Sequence, residues 1–296
     1  MMKFGKILTA MITPFDEKNE INFEETTNLV NYLLDNGTEG LVVAGTTGES
    51  PTLTTEEKIA LFSHVTKVVN KRVPVIAGTG GNNTKSSIEL TKAAEDCGVD
   101  GVMLVAPYYN KPNQQGLYDH FKAIASETNL PVMLYNIPGR SVVKMSTDTI
   151  IKLSEIDNIV SVKEASGDLD QAAIIIENTS EDFSVYSGDD GLTLPMMAIG
   201  GDGIVSVASH IIGNEMQAMI EAFEQGNHKL AASLHRKLLP VMNGLFEAPS
   251  PTPVKAALKT KGIASGGVRL PLVPLTESEE KKLLSLLNTI NVTNGV

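Results

Sequence analysis

Apolar residues along the chain gather into short runs, separated by stretches in which they recur every three or four positions. Eight runs predict strands: 7–13 (ILTAMIT), 40–45 (GLVVAG), 73–79 (VPVIAGT), 101–107 (GVMLVAP), 131–137 (PVMLYNI), 159–165 (IVSVKEA), 183–188 (FSVYSG) and 203–208 (GIVSVA). They are β-branched, nearly unbroken in apolar character and ended by Gly, Pro or Asn, as parallel strands covered on both faces are. The intervening stretches predict helices. Thr54-Thr55-Glu56-Glu57 opens one with a capping box, after which Ile59, Phe62, Val65 and Val69 mark a single face.

Eight strand–helix units end near residue 224 and predict an α/β fold, a closed (β/α)8 TIM barrel, for which about 250 residues is the usual size. A doubly wound open sheet is the other arrangement compatible with the same alternation. From 225 to 296 the strand pattern stops. Helical patterns at Leu230–Leu239, Pro253–Thr260 and Glu277–Leu287 alternate there with the proline-rich "EAPSPTP" and "RLPLVPL". The expected organisation is a catalytic barrel over 1–224 and a C-terminal helical appendage over 225–296 packed on it.

Composition narrows the function classes. The chain has 296 residues, 42% of them apolar, and a formal charge of −11. That balance argues against nucleic acid or an anionic membrane as partner, since both are bound through Lys and Arg. A single cysteine, Cys97, excludes an internal disulfide framework and fits a reducing cytoplasm. The apolar stretch near the N-terminus is too short to span a bilayer and lacks a signal-peptide cleavage pattern, so a cytoplasmic location is expected. The five histidines show no ligand spacing, and no metal is expected.

In a TIM barrel the chemistry lies at the C-terminal ends of the strands. Polar segments fall there: "GTTGES" (45–50), "PYYNKP" (107–112), "YNIPGR" (135–140) and "YSGDD" (186–190). Lys163 sits inside the sixth run, on the side of Ser161 and Ala165 and opposite Val160 and Val162. Lysine is seldom buried without a partner. It can snorkel from a strand end or guard a sheet edge, but a closed barrel has no edge. The functional alternative is an imine-forming amine. A solvated lysine, pKa about 10.4, is almost wholly protonated at neutral pH, whereas burial disfavours an ammonium and favours the nucleophilic form. "GTGGNN" (78–83) lacks the third glycine of a dinucleotide loop and stands in a barrel context. "AIGGDG" (198–203) could bind phosphate through backbone amides, but a tight turn permitted by glycine is the favoured reading.

"GTTGES", "YYNKP", "YNIPGR", "VKEAS" and "SGDD", with "PSPTPVKAAL" and "RLPLVPL" in the tail, together resemble the dihydrodipicolinate synthase family of pyruvate-dependent class I aldolases over essentially the whole chain. The glycine-rich motif, the tyrosine and the lysine are shared with relatives such as N-acetylneuraminate lyase; Arg140, the Thr-Thr pair and the double Tyr narrow the resemblance. It implies condensation of pyruvate with L-aspartate-4-semialdehyde without a cofactor. Lys163 would form the imine. Tyr135, Thr46 and Tyr109 would relay protons, the last lent by a neighbouring subunit of a homo-oligomer, usually a dimer of dimers. Thr47 would hold the pyruvate carboxylate and Arg140 the carboxylate of the semialdehyde. Gly188 and Val205 match positions whose carbonyls line the site. Feedback-sensitive members bind L-lysine through two histidines and a glutamate whose places here are taken by Thr55, Lys58 and Ser86; Asn82 and Tyr108 are retained. A catalytically dead barrel of this family would be expected to lack the lysine or the tyrosines.

Overall fold

The computed structural model describes residues 4–291. Its strands are β1 (Ile7–Ala10), β2 (Gly40–Val43), β3 (Val75–Gly78), β4 (Gly101–Val105), β5 (Val132–Asn136), β6 (Ile159–Glu164), β7 (Ser184–Ser187) and β8 (Gly203–Ser206). Each pairs in parallel with the next, and β8 pairs with β1 through Leu8 and Val205, closing the ring. The fold is therefore the (β/α)8 TIM barrel and not an open sheet. Every strand has two neighbours, so an edge-guarding role for Lys163 is excluded.

The strands are shorter than their apolar runs. Met11, Ile12 and Phe15 stay buried beyond the end of β1, but only Met11 still donates to a neighbouring strand, to the Val42 carbonyl at 3.0 Å. Apolar residues there line the loop layer above the barrel.

Two apolar layers hold the barrel. Leu8, Val42, Ile76, Met103, Met133 and Val205 point inward, with Phe4 closing the bottom; the larger outer layer joins the other strand faces to the helices. The capping box at Thr54 and Glu57 is formed, and Leu61, Phe62, Val65 and Val69 are the buried face of the helix Thr55–Val69. One inward residue departs from strand alternation. Between β5 and β6 the register steps from Val132↔Ile159 to Met133↔Ser161, so Val160 is an extra residue on β6. This bulge turns Val160 into the barrel, on the same side as Lys163, where simple alternation places it outside.

Beyond the barrel, the helix His228–Gly244 packs on Ser209–Glu224 and also against Glu277–Asn291. It is longer than the sequence pattern predicts because it runs through Pro240. The shorter helix Thr252–Leu258 delivers Lys255 to the loops above β1 and β2, where it touches Phe15 and Glu49.

Candidate active site

Lys163 lies next to Tyr135 of β5 and Tyr186 of β7 in the register of the sheet. It is 5% exposed, and its Nζ stands 4.2 Å from the centre of the Tyr135 ring. Among the described residues no ion pair involves it. Its stem passes close to the β7 loop: a Cβ on Gly188 would come within 3.0 Å of Lys163 Cε, so glycine leaves the side chain its path. The Gly188 N–H donates to the Glu164 carbonyl at 2.8 Å, tying that loop to β6. Val205, 1% exposed, faces the same interior from β8.

Glu164 points the other way. It is buried in the outer layer, accepting from the Asn136 side chain at 2.8 Å and from the Ser166 N–H at 2.7 Å. Burial raises its carboxyl above the usual range despite those donors. Through Asn136, which also accepts from Met145 N–H at 3.0 Å, it connects β6 to the loop that carries Arg140.

A cavity of about 510 Å³ opens above β2 to β5. Tyr135 lines it from the barrel, Thr46 from the β2 loop, and Arg140 from a one-turn helix, Pro138–Ser141, beyond β5. Thr47, next in sequence, is buried. Tyr108 lines the cavity, but Tyr109 does not: it is 88% exposed, with its backbone at φ 74°. A left-handed conformation in a non-glycine residue with a large side chain is strained and needs support from its surroundings. Here the support is partly visible: Asn82 donates to the Tyr108 carbonyl at 3.2 Å, and Asn110 donates back to the Asn82 carbonyl at 2.9 Å.

The structure thus brings Lys163, Tyr135, Thr46, Thr47, Arg140, Gly188 and Val205 to one end of the barrel, and leaves Tyr109 pointing away from its own cavity. It also adds residues that the motifs did not single out. Gly80, Gly81 and Asn82 of "GTGGNN" form cavity wall rather than a nucleotide loop. Glu49, inside the quoted "GTTGES", makes an ion pair with Lys255 at 2.6 Å in a region 1% and 3% exposed. "AIGGDG" lies before β8, at the opposite end of the barrel, as a turn in which Asp202 accepts from Val185 N–H at 2.9 Å. Among the described residues no cluster of three or more metal-ligating side chains occurs, and no helix is long and apolar enough to cross a membrane.

A parallel barrel with a buried lysine beside a tyrosine and a guanidinium at its mouth is suited to carbonyl substrates that carry a carboxylate. Similarity to known proteins agrees. The model of the Dihydrodipicolinate synthetase family matches residues 3–290, and the chain belongs to that family. A 4-hydroxy-tetrahydrodipicolinate synthase from Bacillus velezensis is 62% identical over 98% of this chain and 100% of its own length. The crystal structure of a dihydrodipicolinate synthase from Bacillus anthracis superposes with a TM-score of 0.96 at 64% identity, covering 97% of this chain and 99% of that one. The enzyme from Cyanidioschyzon merolae, solved with lysine bound, also has a TM-score of 0.96, at 46% identity over 98% and 99% of the two chains.

Proposed function

We infer that this chain is a 4-hydroxy-tetrahydrodipicolinate synthase that condenses pyruvate with L-aspartate-4-semialdehyde. The observation that carries the reading is Lys163 itself: an interior amine that meets a tyrosine ring and no carboxylate, at the catalytic end of the barrel. Its nitrogen attacks the keto carbon of pyruvate and water leaves. The resulting iminium is an electron sink, so the methyl group loses a proton and becomes an enamine. The enamine carbon attacks the aldehyde carbon of the second substrate. That substrate's amine then closes on the former keto carbon and displaces Lys163, which regains its free form. Tyr135 passes protons through Thr46; a phenol is a poor base alone, but in a chain of hydroxyls it moves a proton without stranding a charge. Thr47 binds the pyruvate carboxylate, with the backbone around Gly188 and Val205 enclosing the imine. Arg140 takes the carboxylate of the semialdehyde in a two-pronged contact that suits its planar fork.

Tyr109 supports an oligomeric reading. An aromatic side chain that is strained at its backbone, exposed and turned from its own cavity supports a role in the site of a second copy. We read the working form as a homo-oligomer, a dimer of dimers by resemblance. The barrel over 1–224 is its catalytic part, and 225–296 is an appendage to it. A cytoplasmic location rests on the single cysteine.

Reduction with borohydride in the presence of pyruvate tests the central step. The reduced adduct is expected on the peptide that contains Lys163; an adduct on Lys111 or Lys144 would refute the assignment. Tyr109 is tested by mixing Tyr109→Phe with Lys163→Ala protomers. Activity should reappear in mixed oligomers, because one site then carries both native residues. No recovery after verified subunit exchange would place Tyr109 in its own chain's site.

A further inference from the structure

The turn that carries Thr46 and Thr47 is bracketed by two left-handed, non-glycine residues, Ala44 at φ 52° and Glu49 at φ 57°. Such conformations persist only where the surroundings impose them. Within the turn the Glu49 N–H donates to the Thr46 carbonyl at 3.1 Å, and Thr13 donates to the Gly48 carbonyl at 2.7 Å. Local bonds from Ser50 N–H to the Gly45 carbonyl at 3.3 Å and from Thr52 N–H to the Glu49 carbonyl at 2.9 Å add to these, and further restraints come from the far end of the chain. Glu49 Oε1 meets Lys255 Nζ at 2.6 Å, and Glu49 Oε2 accepts from the Arg269 backbone N–H at 2.9 Å. Lys255 is itself fixed: its Nζ donates to the Gly267 carbonyl at 2.7 Å and stands 4.1 Å from the centre of the Phe15 ring. The Arg269 guanidinium lies 4.4 Å from the same ring and donates to the Thr52 carbonyl and to Glu57, each at 2.8 Å.

None of Phe15, Glu49, Glu57, Lys255 and Arg269 itself lines the cavity, which the cluster reaches only through the backbone of the Thr46 turn. The cluster is also an expensive way to stabilise a loop, because burying two charges costs several kcal/mol per ion before their attraction repays it. Apolar residues of similar volume would pack the same space at lower cost. What an ion pair adds is direction: it holds one carboxylate in one place and so fixes the backbone conformation at Glu49, three residues from Thr46.

We propose that Glu49 and Lys255 are positioning residues that hold the Thr46–Thr47 turn against the pyruvate site, so that the C-terminal helical region is a working part of the active site. The inference rests on the reading of Thr46 and Thr47 as pyruvate-handling residues. In consequence, disturbing the pair weakens pyruvate binding and slows the chemical step, and leaves the semialdehyde site on the separate loop beyond β5 largely alone.

The test uses the full-length oligomer, wild type and the variants Glu49→Gln, Lys255→Met, Lys255→Arg and the double variant Glu49→Gln/Lys255→Met. The pyruvate concentration that half-saturates borohydride trapping is read by mass, beside steady-state constants for both substrates and the thermal midpoint. Wild type is read first: no adduct on Lys163 would overturn the functional reading, and this inference with it. Given that adduct, Glu49→Gln and Lys255→Met should raise half-saturating pyruvate about tenfold or more and lower kcat, with the semialdehyde KM within about twofold of wild type. Lys255→Arg should restore part of the loss. If the single variants do not fold, the double variant decides, since it leaves no unpaired charge inside and should fold; its pyruvate half-saturation should remain raised. Variants that melt earlier but handle pyruvate as wild type does would show a purely structural ion pair and overturn the proposal.

Discussion

Two lysines are buried among the described residues, and they have opposite surroundings. Lys163 is 5% exposed and Lys255 is 2% exposed, and each nitrogen stands about as far from an aromatic ring, 4.2 Å over Tyr135 and 4.1 Å over Phe15. Lys255 in addition meets the Glu49 carboxylate at 2.6 Å and the Gly267 carbonyl at 2.7 Å. Burial pushes its ammonium down to about 8, while the charge of Glu49 pulls in the other direction and keeps the proton on at neutral pH. An amine so committed has little left to attack with, because its hydrogens are spent on fixed acceptors. Lys163 has a ring face and no carboxylate. Burial alone does not distinguish the two; what differs is the anion that clamps Lys255 and that Lys163 lacks among the described residues.

The comparison breaks most visibly at Lys163→Ala. Removing a nucleophile that forms a covalent intermediate should lower kcat by at least about 10³, and the thermal midpoint should hold or rise because a buried amine without a carboxylate partner has gone. The measurement is turnover together with a melting curve. A variant that loses its fold with its activity would mean that Lys163 is structural.

His210 shows what burial does to a cationic group that has hydrogen-bond partners but no anion. It is fully enclosed, with Nδ1 2.8 Å from the Val207 carbonyl and Nε2 accepting from Ile12 N–H at 3.2 Å. Burial lowers its pKa to about 4. The unfolded chain takes up this proton near 6.5 and the native state does not until about 4. The group's contribution is therefore complete above 6.5 and lost as pH falls through 4, by up to roughly 3 kcal/mol. Glu164 and Asp190 act in the opposite sense, since burial raises both carboxyls and their contributions are present at low pH. The difference between wild type and His210→Asn isolates the histidine. Denaturant unfolding from pH 7 to 4 should show a flatter loss in the variant, and parallel curves would refute the assignment.

Arg140 is the exposed counterpart of these interior groups, on the rim of the cavity, where the proposed role is to meet a substrate carboxylate. A charge-assisted two-pronged contact is worth roughly 1.5–3 kcal/mol. Arg140→Ala should then cost about tenfold to a hundredfold in kcat/KM for the semialdehyde, with little change in pyruvate half-saturation. An equal loss for both substrates would contradict a role confined to the second.

Little of this contrast is visible in the sequence, although the barrel is. All eight strands announce themselves as apolar runs, because both faces of each are covered. Lys163 stands out because a charge interrupts one of those runs. Lys255 sits in an amphipathic helix, where a lysine is unremarkable, and its partner Glu49 lies in a polar loop; only the folded chain brings them together. The inward turn of Val160 was equally hidden, since a bulge leaves no mark on the alternation that precedes it. Helix His228–Gly244 continues past the Pro240 that its pattern suggested as a stop, because packing on Ser209–Glu224 and Glu277–Asn291 outweighs one lost backbone hydrogen bond.

The smallest expected effect concerns a third lysine, the free amino acid. To bind it, a site must supply anions for its two ammonium groups, as Glu49 does for Lys255. The outer part of the cavity, beyond Thr46, is walled by Thr55, Lys58, Asn82 and Ser86, and among the described residues no carboxylate lines it. Glu56, Glu57 and Glu89, acids close by in sequence, stand outside that lining. Lys58 adds a cation, though burial pulls its pKa down and so softens the repulsion. One missing charged hydrogen bond of roughly 1.5–3 kcal/mol weakens a ligand about tenfold or more, and a nearby like charge adds up to about 1 kcal/mol. L-Lysine should therefore inhibit weakly or not at all in steady-state assays. Ser86→Glu, which returns a carboxylate to the cavity wall, should increase whatever inhibition is present. Half-inhibition of the wild type below about 1 mM, a binding energy near 4 kcal/mol, would show that the ammonium groups find other acceptors and that the lining cations do not decide the matter.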